Sequence, residues 1–371
     1  SAGTSNFRAG VNAGNSIASG GNFNVVVGDE AGTAITTGDS NTAVGYAALD
    51  ANTTASENTA VGYNALTANT TGDGNTAIGV KAMDANTVGD RNVAVGADAL
   101  GTMNPSSNAD MYNVGVGYNA GAAVTTGTAN TLIGGLSGDA ITTGGSNTFV
   151  GFNSGHVETT GANNVIIGQA GQAQTLTNDT VAVGDGALQT NTKSAKNTAI
   201  GRSALRNLNH TSATDGHNTA LGFNAGLAMT TGTNNTLIGG LAGDALTDAD
   251  HNVAIGGQAL TTDTLGSRSV AIGQHALQVQ NFTSATDTYN VAVGYDAGVA
   301  VTTGIRNTLI GGLAGDALTD ADLNVAIGYQ ALSTDTLGSR SVAIGNQALL
   351  SQNFTSATNA FNTAIGTDAG L

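Results

Sequence analysis

The sequence predicts an all-β fold, a parallel β-solenoid with 17-residue coils, and three observations predict it. First, a five-residue unit, seen in Ser269-Val270-Ala271-Ile272-Gly273, recurs from Asn41-Thr42-Ala43-Val44-Gly45 through to Asn362-Thr363-Ala364-Ile365-Gly366. Its copies begin at 6, 24, 41, 58, 75, 92, 113, 130, 147, 164, 180, 197, 218, 235, 252, 269, 290, 307, 324, 341 and 362. Most steps are 17 residues, four are 21, and two joins are 18 and 16. A repeat this short has no room for a private core, so each unit buries its apolar side by stacking on its neighbours. Second, each unit alternates with the period of two that strands require. Third, the chain holds 55 glycines, one proline and no tryptophan or cysteine, a composition of tight turns without disulfides.

The unbroken period overrides a length-only expectation of two or three domains, so residues 1–371 are read as one continuous solenoid. Twenty-one coils at the inter-strand spacing of about 4.8 Å give a rod of roughly 100 Å. Acidic residues outnumber basic ones by 26 to 10, a net charge of -16, which disfavours nucleic acid and anionic membranes as partners. No run of eighteen apolar residues occurs, so the segment is not expected to insert in a membrane, and Ser1-Ala2-Gly3 opens no basic or apolar leader.

Within a unit the opening residue is Asn in eighteen copies, replaced by Thr180, Ser269 and Ser341. Stacked asparagines such as Asn41, Asn58, Asn75, Asn92, Asn130, Asn235 and Asn307 can bond from coil to coil as a ladder, and a structural corner is favoured over a ligand site. The fourth position is Val, Ile or Leu221 from Val27 onward and reads as the dry interior. The third, usually Ala, becomes Leu132, Phe149, Ile166, Leu237 and Leu309, so both faces are apolar and both need cover. One cover is the second half of the coil, with Ala48-Leu49, Ala65-Leu66, Ala120-Gly121 or Ala297-Gly298. The other is expected from identical chains about a symmetry axis. Alternation alone leaves open which face points inward. The closing glycine marks a tight turn straight after the strand.

Five residues before each unit runs a threonine row that includes Thr36, Thr53, Thr70 and Thr87, broken by Asn108, Ala213, Ala285 and Ala357 in the 21-residue coils. Such a row either bonds its own backbone at a corner or presents a regular hydroxyl face for ice binding. The four extra residues of the long coils must leave the roll as bulges. These supply the candidate contact residues: Asn104 and Pro105, Asn209 and His210, Asn281, Phe282 and Thr283, and Asn353, Phe354 and Thr355, the two phenylalanines as apolar anchors. Near-duplicate 72-residue blocks start at 218 and 290. The ending Asp368-Ala369-Gly370-Leu371 lacks a polar cap, so a longer parent chain is expected.

Catalytic chemistry is not expected. Histidines 156, 210, 217, 251 and 275 share no metal-ligand spacing, and Glu occurs only at 30, 57 and 158. Asp248 and Asp250, repeated as Asp320 and Asp322, sit where turns favour Asp, with Ca²⁺ contact the weaker reading. A glycosidase would need a converging carboxylate pair. No cofactor and no metal is assigned.

Ser269-Val270-Ala271-Ile272-Gly273, with the small residue of Gln274-His275-Ala276, resembles the head repeat of trimeric autotransporter adhesins, of the form Asn-Ser-Val-Ala-Ile-Gly-x-x-Ala. Similar repeats occur in phage tail fibres. The resemblance spans essentially the whole chain. It implies left-handed parallel β-rolls assembled as a homotrimer, extracellular or on a cell or virion surface, that attach to a receptor, matrix protein or glycan. The 17-residue coil departs from the family's commoner fourteen or so, and neck, stalk and anchor segments are missing, so a structural shaft of a phage fibre or filament is the alternative.

Overall fold

A computed structural model of the chain describes residues 3–175 and 177–371; Ser1 and Ala2, at the start read above for a leader, and Leu176 lie outside the described residues. The described residues form strands and turns without helices. They fall into two compact units, Ser1–Thr180 and Val181–Leu371.

Each coil contributes one three-residue strand. In the first unit these run from Phe7–Ala9 and Val25–Val27 through Thr42–Val44, Thr59–Val61 and Thr76–Ile78 to Val165–Ile167. Every strand pairs parallel with the next, so like residues stack: Thr42 on Thr59, Ala43 on Ala60, Val44 on Val61. In the second unit the column runs from Val181–Val183 to Thr363–Ile365 with the same register, as in Val253 on Val270 and Ile255 on Ile272. Stacking of equivalent residues is what an interval of one coil per strand demands.

The rest of the coil is turn, and its corners take left-handed backbone at non-glycine residues. In one coil these are Ser40 (φ 58°), Ala47 (φ 49°) and Leu49 (φ 56°). Each such residue costs of order 1–2 kcal/mol. Hydrogen bonds between coils offset this: Ser40 N–H donates to the Asn22 carbonyl, Ala47 N–H to Asp29 and Leu49 N–H to Ala65, at 2.9–3.0 Å. The closing glycine is the exception that admits no side chain. Gly45 has φ 135°, and a Cβ there would lie 2.4 Å from the Gly62 carbonyl oxygen.

The interior corrects the sequence reading of the strand. The third position points inward: Ala43, Ala60, Leu132, Phe149 and Ile166 are fully buried, with Ala48, Leu49, Ala65 and Leu66 opposite them. The fourth position, read as the dry interior, points out, with Ile78 40% and Leu221 44% exposed. Volume explains the choice. Many coils enclose either a small third residue with a large one at the second corner, as Ala43 with Leu49, or the reverse, as Leu132 with Gly138 and Phe149 with Gly155; where both are small, as Ala220 with Gly226, leucines of the adjacent coils, Leu205 and Leu237, fill the space. A Cβ on Gly138 would meet Leu132 Cδ2 at 2.8 Å, and one on Gly155 would meet Phe149 Cε2 at 2.4 Å. Such a lumen has no space for a continuous Val/Ile row.

Candidate functional site

Two features could serve a partner: the outward sheet face and the bulges. The outward face carries Thr or Val at the second position (Thr42, Thr59, Val93, Val270) and Val or Ile at the fourth (Val44, Val61, Val95, Ile272), all half-buried within the chain itself. β-Branched side chains suit a pleated surface, but a solvated face ordinarily alternates with charge. This one carries none on the strands between 42 and 365.

The opening asparagines face the lumen. Asn41 donates its backbone N–H to Asn24 Oδ1 (2.9 Å) and its Nδ2 to the Ala55 carbonyl (2.9 Å). The same bonds join Asn58 to Asn41, Asn75 to Asn58, Asn92 to Asn75, Asn130 to Asn113, Asn235 to Asn218 and Asn307 to Asn290, at 2.9–3.0 Å. All are buried and committed, so they are a structural ladder closed to ligands.

The threonine row spends its hydroxyls on the next coil: Thr36 Oγ1 donates to the Thr53 carbonyl at 2.8 Å and Thr125 Oγ1 to Thr142 at 3.1 Å. In the long coils the row is continued by Asn104, Asn209, Asn281 and Asn353, not by Asn108, Ala213, Ala285 and Ala357. Their Oδ1 atoms accept the hydroxyls of Thr87, Thr192, Thr264 and Thr336. The extra residues follow, and each bulge returns through a two-residue strand paired with the coil before, as Ala109–Asp110 on Gly89–Asp90 and Thr286–Asp287 on Gly266–Ser267.

The bulges do not present the apolar anchors expected of them. Asn104, Asn209, Asn281, Thr283, Asn353 and Thr355 are exposed, but Pro105 and His210 are buried, Phe282 is only 8% exposed and Phe354 is half-buried. The cause is a missing side chain beneath. A Cβ on Gly338 would strike the Phe354 ring at 2.7 Å, and one on Gly89 would touch Pro105 at 3.1 Å, so glycine leaves the seat. His210 Nε2 lies 2.9 Å from the Thr231 carbonyl.

The sequence reading missed a buried polar cluster. Asp263 lies in the lumen, where its Oδ1 accepts N–H from Gly266 (3.0 Å) and Phe282 (3.2 Å) and its Oδ2 accepts Gln280 Nε2 (2.6 Å). Gln280 Nε2 also reaches Ser269 Oγ (2.8 Å), and its Oε1 accepts Asn290 Nδ2 (2.8 Å). Asp335, Ser341 and Gln352 repeat the arrangement. The available signal was the company these residues keep: the two serine substitutions for Asn occur where Asp precedes by six and Gln follows by eleven. Burial pushes the Asp263 carboxyl up, against the pull of its hydrogen bonds. Glu158, likewise buried and bonded to Gly161 N–H and the Thr177 hydroxyl, is raised by burial too.

Asp248 and Asp320 accept the hydroxyls of Thr231 and Thr303, while Asp250 and Asp322 accept the N–H groups of Thr233 and Ile305, each from the coil before. Among the described residues no three His, Asp or Glu converge as a metal site, and no helix is long and apolar enough to cross a membrane. Compared with protein-family models and with curated proteins, the chain matches none.

Proposed function

We propose that the chain acts as a homotrimer of left-handed parallel β-rolls, a fibrous head or shaft on a cell or virion surface that serves attachment. The observation that carries this reading is the outward strand face, in each unit a column of Thr/Val beside Val/Ile that its own chain leaves partly exposed. Identical columns meeting about a threefold axis cover one another, and apolar area removed from water contributes roughly 25 cal/mol per Å². The resemblance of the repeat to trimeric adhesin heads supports the copy number and hand. The exposed polar tips at Asn104, Asn209, Asn281, Thr283, Asn353 and Thr355 are the surfaces left for a receptor, matrix protein or glycan.

Sedimentation equilibrium tests the assembly, and retention on matrix-coated or glycan-coated surfaces tests attachment. The parent is expected at three chain masses, and Ile272→Glu on the outward face is expected to sediment as a folded monomer. A folded monomeric parent would end the reading. The burial of Pro105, His210 and Phe282 favours a second reading, a structural shaft of a tail fibre or filament that binds nothing along its length. Loss of surface retention in Asn281→Ala/Thr283→Ala/Asn353→Ala/Thr355→Ala separates attachment by the tips from that shaft.

A further inference from the structure

Every bulge ends by placing a ring at the edge of the outward face, on the residue just before the opening Asn: Tyr112, His217, Tyr289 and Phe361. In each bulge a cation of the coil before reaches the returning stretch, and over Tyr289 and Phe361 it also faces the ring. Arg268 stands 5.9 Å from the Tyr289 ring centre with its Nε 2.9 Å from Asp287, and Arg340 stands 5.8 Å from the Phe361 ring. Arg91 pairs with Asp110, which accepts the Tyr112 hydroxyl at 2.9 Å, and Lys196 pairs with Asp215 at 2.6 Å. The bulge thus holds an exposed ring in a set position, at left-handed φ of 49–53°.

Six residues on, across the strand, the opposite edge of the same coil carries a second exposed ring: Tyr118 after Tyr112, Phe223 after His217, Tyr295 after Tyr289. Within one chain the three-residue strand, about 10 Å at 3.3 Å per residue, lies between the two edges. The edges match in the negative sense as well. Where the first edge has Ala129, Asn234 or Arg306, the second has Gly135, Gly240 or Gly312, while His251 is the exception that faces Gly257. Second-edge rings also have neighbours within the chain: Tyr46 and Tyr63 stack at 5.4 Å, Phe152 lies over bare Gly135, Tyr295 has His275 at 6.1 Å and Phe223 has Arg202 at 6.0 Å, each leaving the ring exposed.

We infer that the long coils are register locks between copies of this chain, in which Tyr112, His217 and Tyr289 of one copy meet Tyr118, Phe223 and Tyr295 of the next at the same height. The inference rests on the trimer reading and adds to it the contacting edges and zero axial stagger. A cyclic trimer is head-to-tail, so the first edge of each copy faces the second edge of its neighbour. A uniform Val/Ile column is indifferent to a slip of one coil, about 4.8 Å, because every coil looks alike. Rings present in only some coils are not indifferent, since a copy slipped by one coil sets Tyr289 against Gln274 or Gly312. Offset or edge-to-face ring pairs supply the preference.

The chain has no cysteine, so introduced thiols report without background. Tyr289→Cys/Tyr295→Cys, and independently Tyr112→Cys/Tyr118→Cys, treated with a short bis-maleimide, are expected to give covalent trimers in denaturing gels. Tyr289→Cys alone, and Tyr289→Cys/Tyr329→Cys two coils out of step, are expected to give none. Trimers by sedimentation with no same-coil cross-link, or with an equal cross-link in the stepped pair, overturn the register lock alone. A parent that sediments as a monomer overturns the trimer reading beneath it. Circular dichroism confirms folding of each variant, and the two same-coil pairs lie in different units, so one misfolded variant leaves the other to decide.

Discussion

Gln280 stands in for the carboxamide that Ser269 lacks. Its Nε2 lies 2.8 Å from Ser269 Oγ, and its Oε1 takes the Asn290 Nδ2 proton that the ladder residue below would otherwise receive. The other long coils show the alternative, with Asn92 and Asn197 opening coils whose corresponding lumen residues are apolar Met103 and Leu208. The two solutions are therefore sets of residues rather than independent choices.

Exchanging one member of the set is expected to be costly and exchanging all of them cheap. Gln280→Leu leaves the buried Asp263 Oδ2 without its donor and takes one partner each from Ser269 and Asn290, and should cost about 2–4 kcal/mol. Asp263→Asn/Ser269→Asn/Gln280→Leu recreates the pattern of Asn191, Asn197 and Leu208 and should fall within about 1 kcal/mol of the parent. Urea midpoints of the two variants decide it; equal losses would refute the set.

Stability should rise as the medium becomes mildly acidic. Burial raises the Asp263 and Glu158 carboxyls, and Asp50, Asp84, Asp244 and Asp316 are raised by burial as well. A carboxyl raised in the folded state binds its proton more tightly there than in the unfolded chain. Its contribution is full below the ordinary carboxylate value and is lost as pH climbs through the folded-state value. Melting followed by circular dichroism is expected at higher temperature near about pH 5 than near pH 7, with a shallower slope in the triple variant. A melting temperature that falls steadily below neutrality contradicts the sign.

The closing glycines should tolerate nothing, while glycines at the second edge tolerate a methyl group. A Cβ on Gly62 would sit 2.4 Å from the Gly79 carbonyl oxygen at φ 141°, but one on Gly257 meets nothing within 4 Å. Gly62→Ala is expected to cost more than about 3 kcal/mol and Gly257→Ala less than about 0.5 kcal/mol. Comparable melting temperatures for the two would remove the steric account of the turn.

Lumen volume should be exchangeable between the third position and the second corner. Leu132→Ala leaves a cavity and should cost about 3 kcal/mol; Gly138→Leu overfills and should cost about 1–3 kcal/mol. Their combination sets the same pair as Ala43 with Leu49, though Ile141 and Phe149 still bound the Gly138 site, so the double variant should recover part of the loss. Additive losses in thermal melts would mean the two positions do not share space.

The repeat, its 17-residue step and the in-register stacking of the strands were legible in the sequence, because a unit too short for its own core leaves stacking as its one way to bury apolar surface. The bulges were legible as four steps of 21 residues among steps of 17. Their contents were not: Phe282 and Phe354 read as surface anchors and Pro105 as a contact residue from composition alone, whereas the bare Gly338 beneath Phe354 and Gly89 beneath Pro105 show that neighbouring coils decide where such rings go. The buried Asp263 was missed for a related reason, since turn preference explains an isolated Asp and only its partners from the next coil, Gln280 and Phe282, explain this one.

The sequence by itself determined the architecture, since spacing and alternation are properties of the chain that survive any arrangement of it in space. Only the tertiary structure decided that Ala43 faces in and Val44 faces out. Period two marks two faces without naming them. The choice belongs to the closed coil, whose lumen holds one large side chain where it holds Leu49 and must turn the Val/Ile column outward.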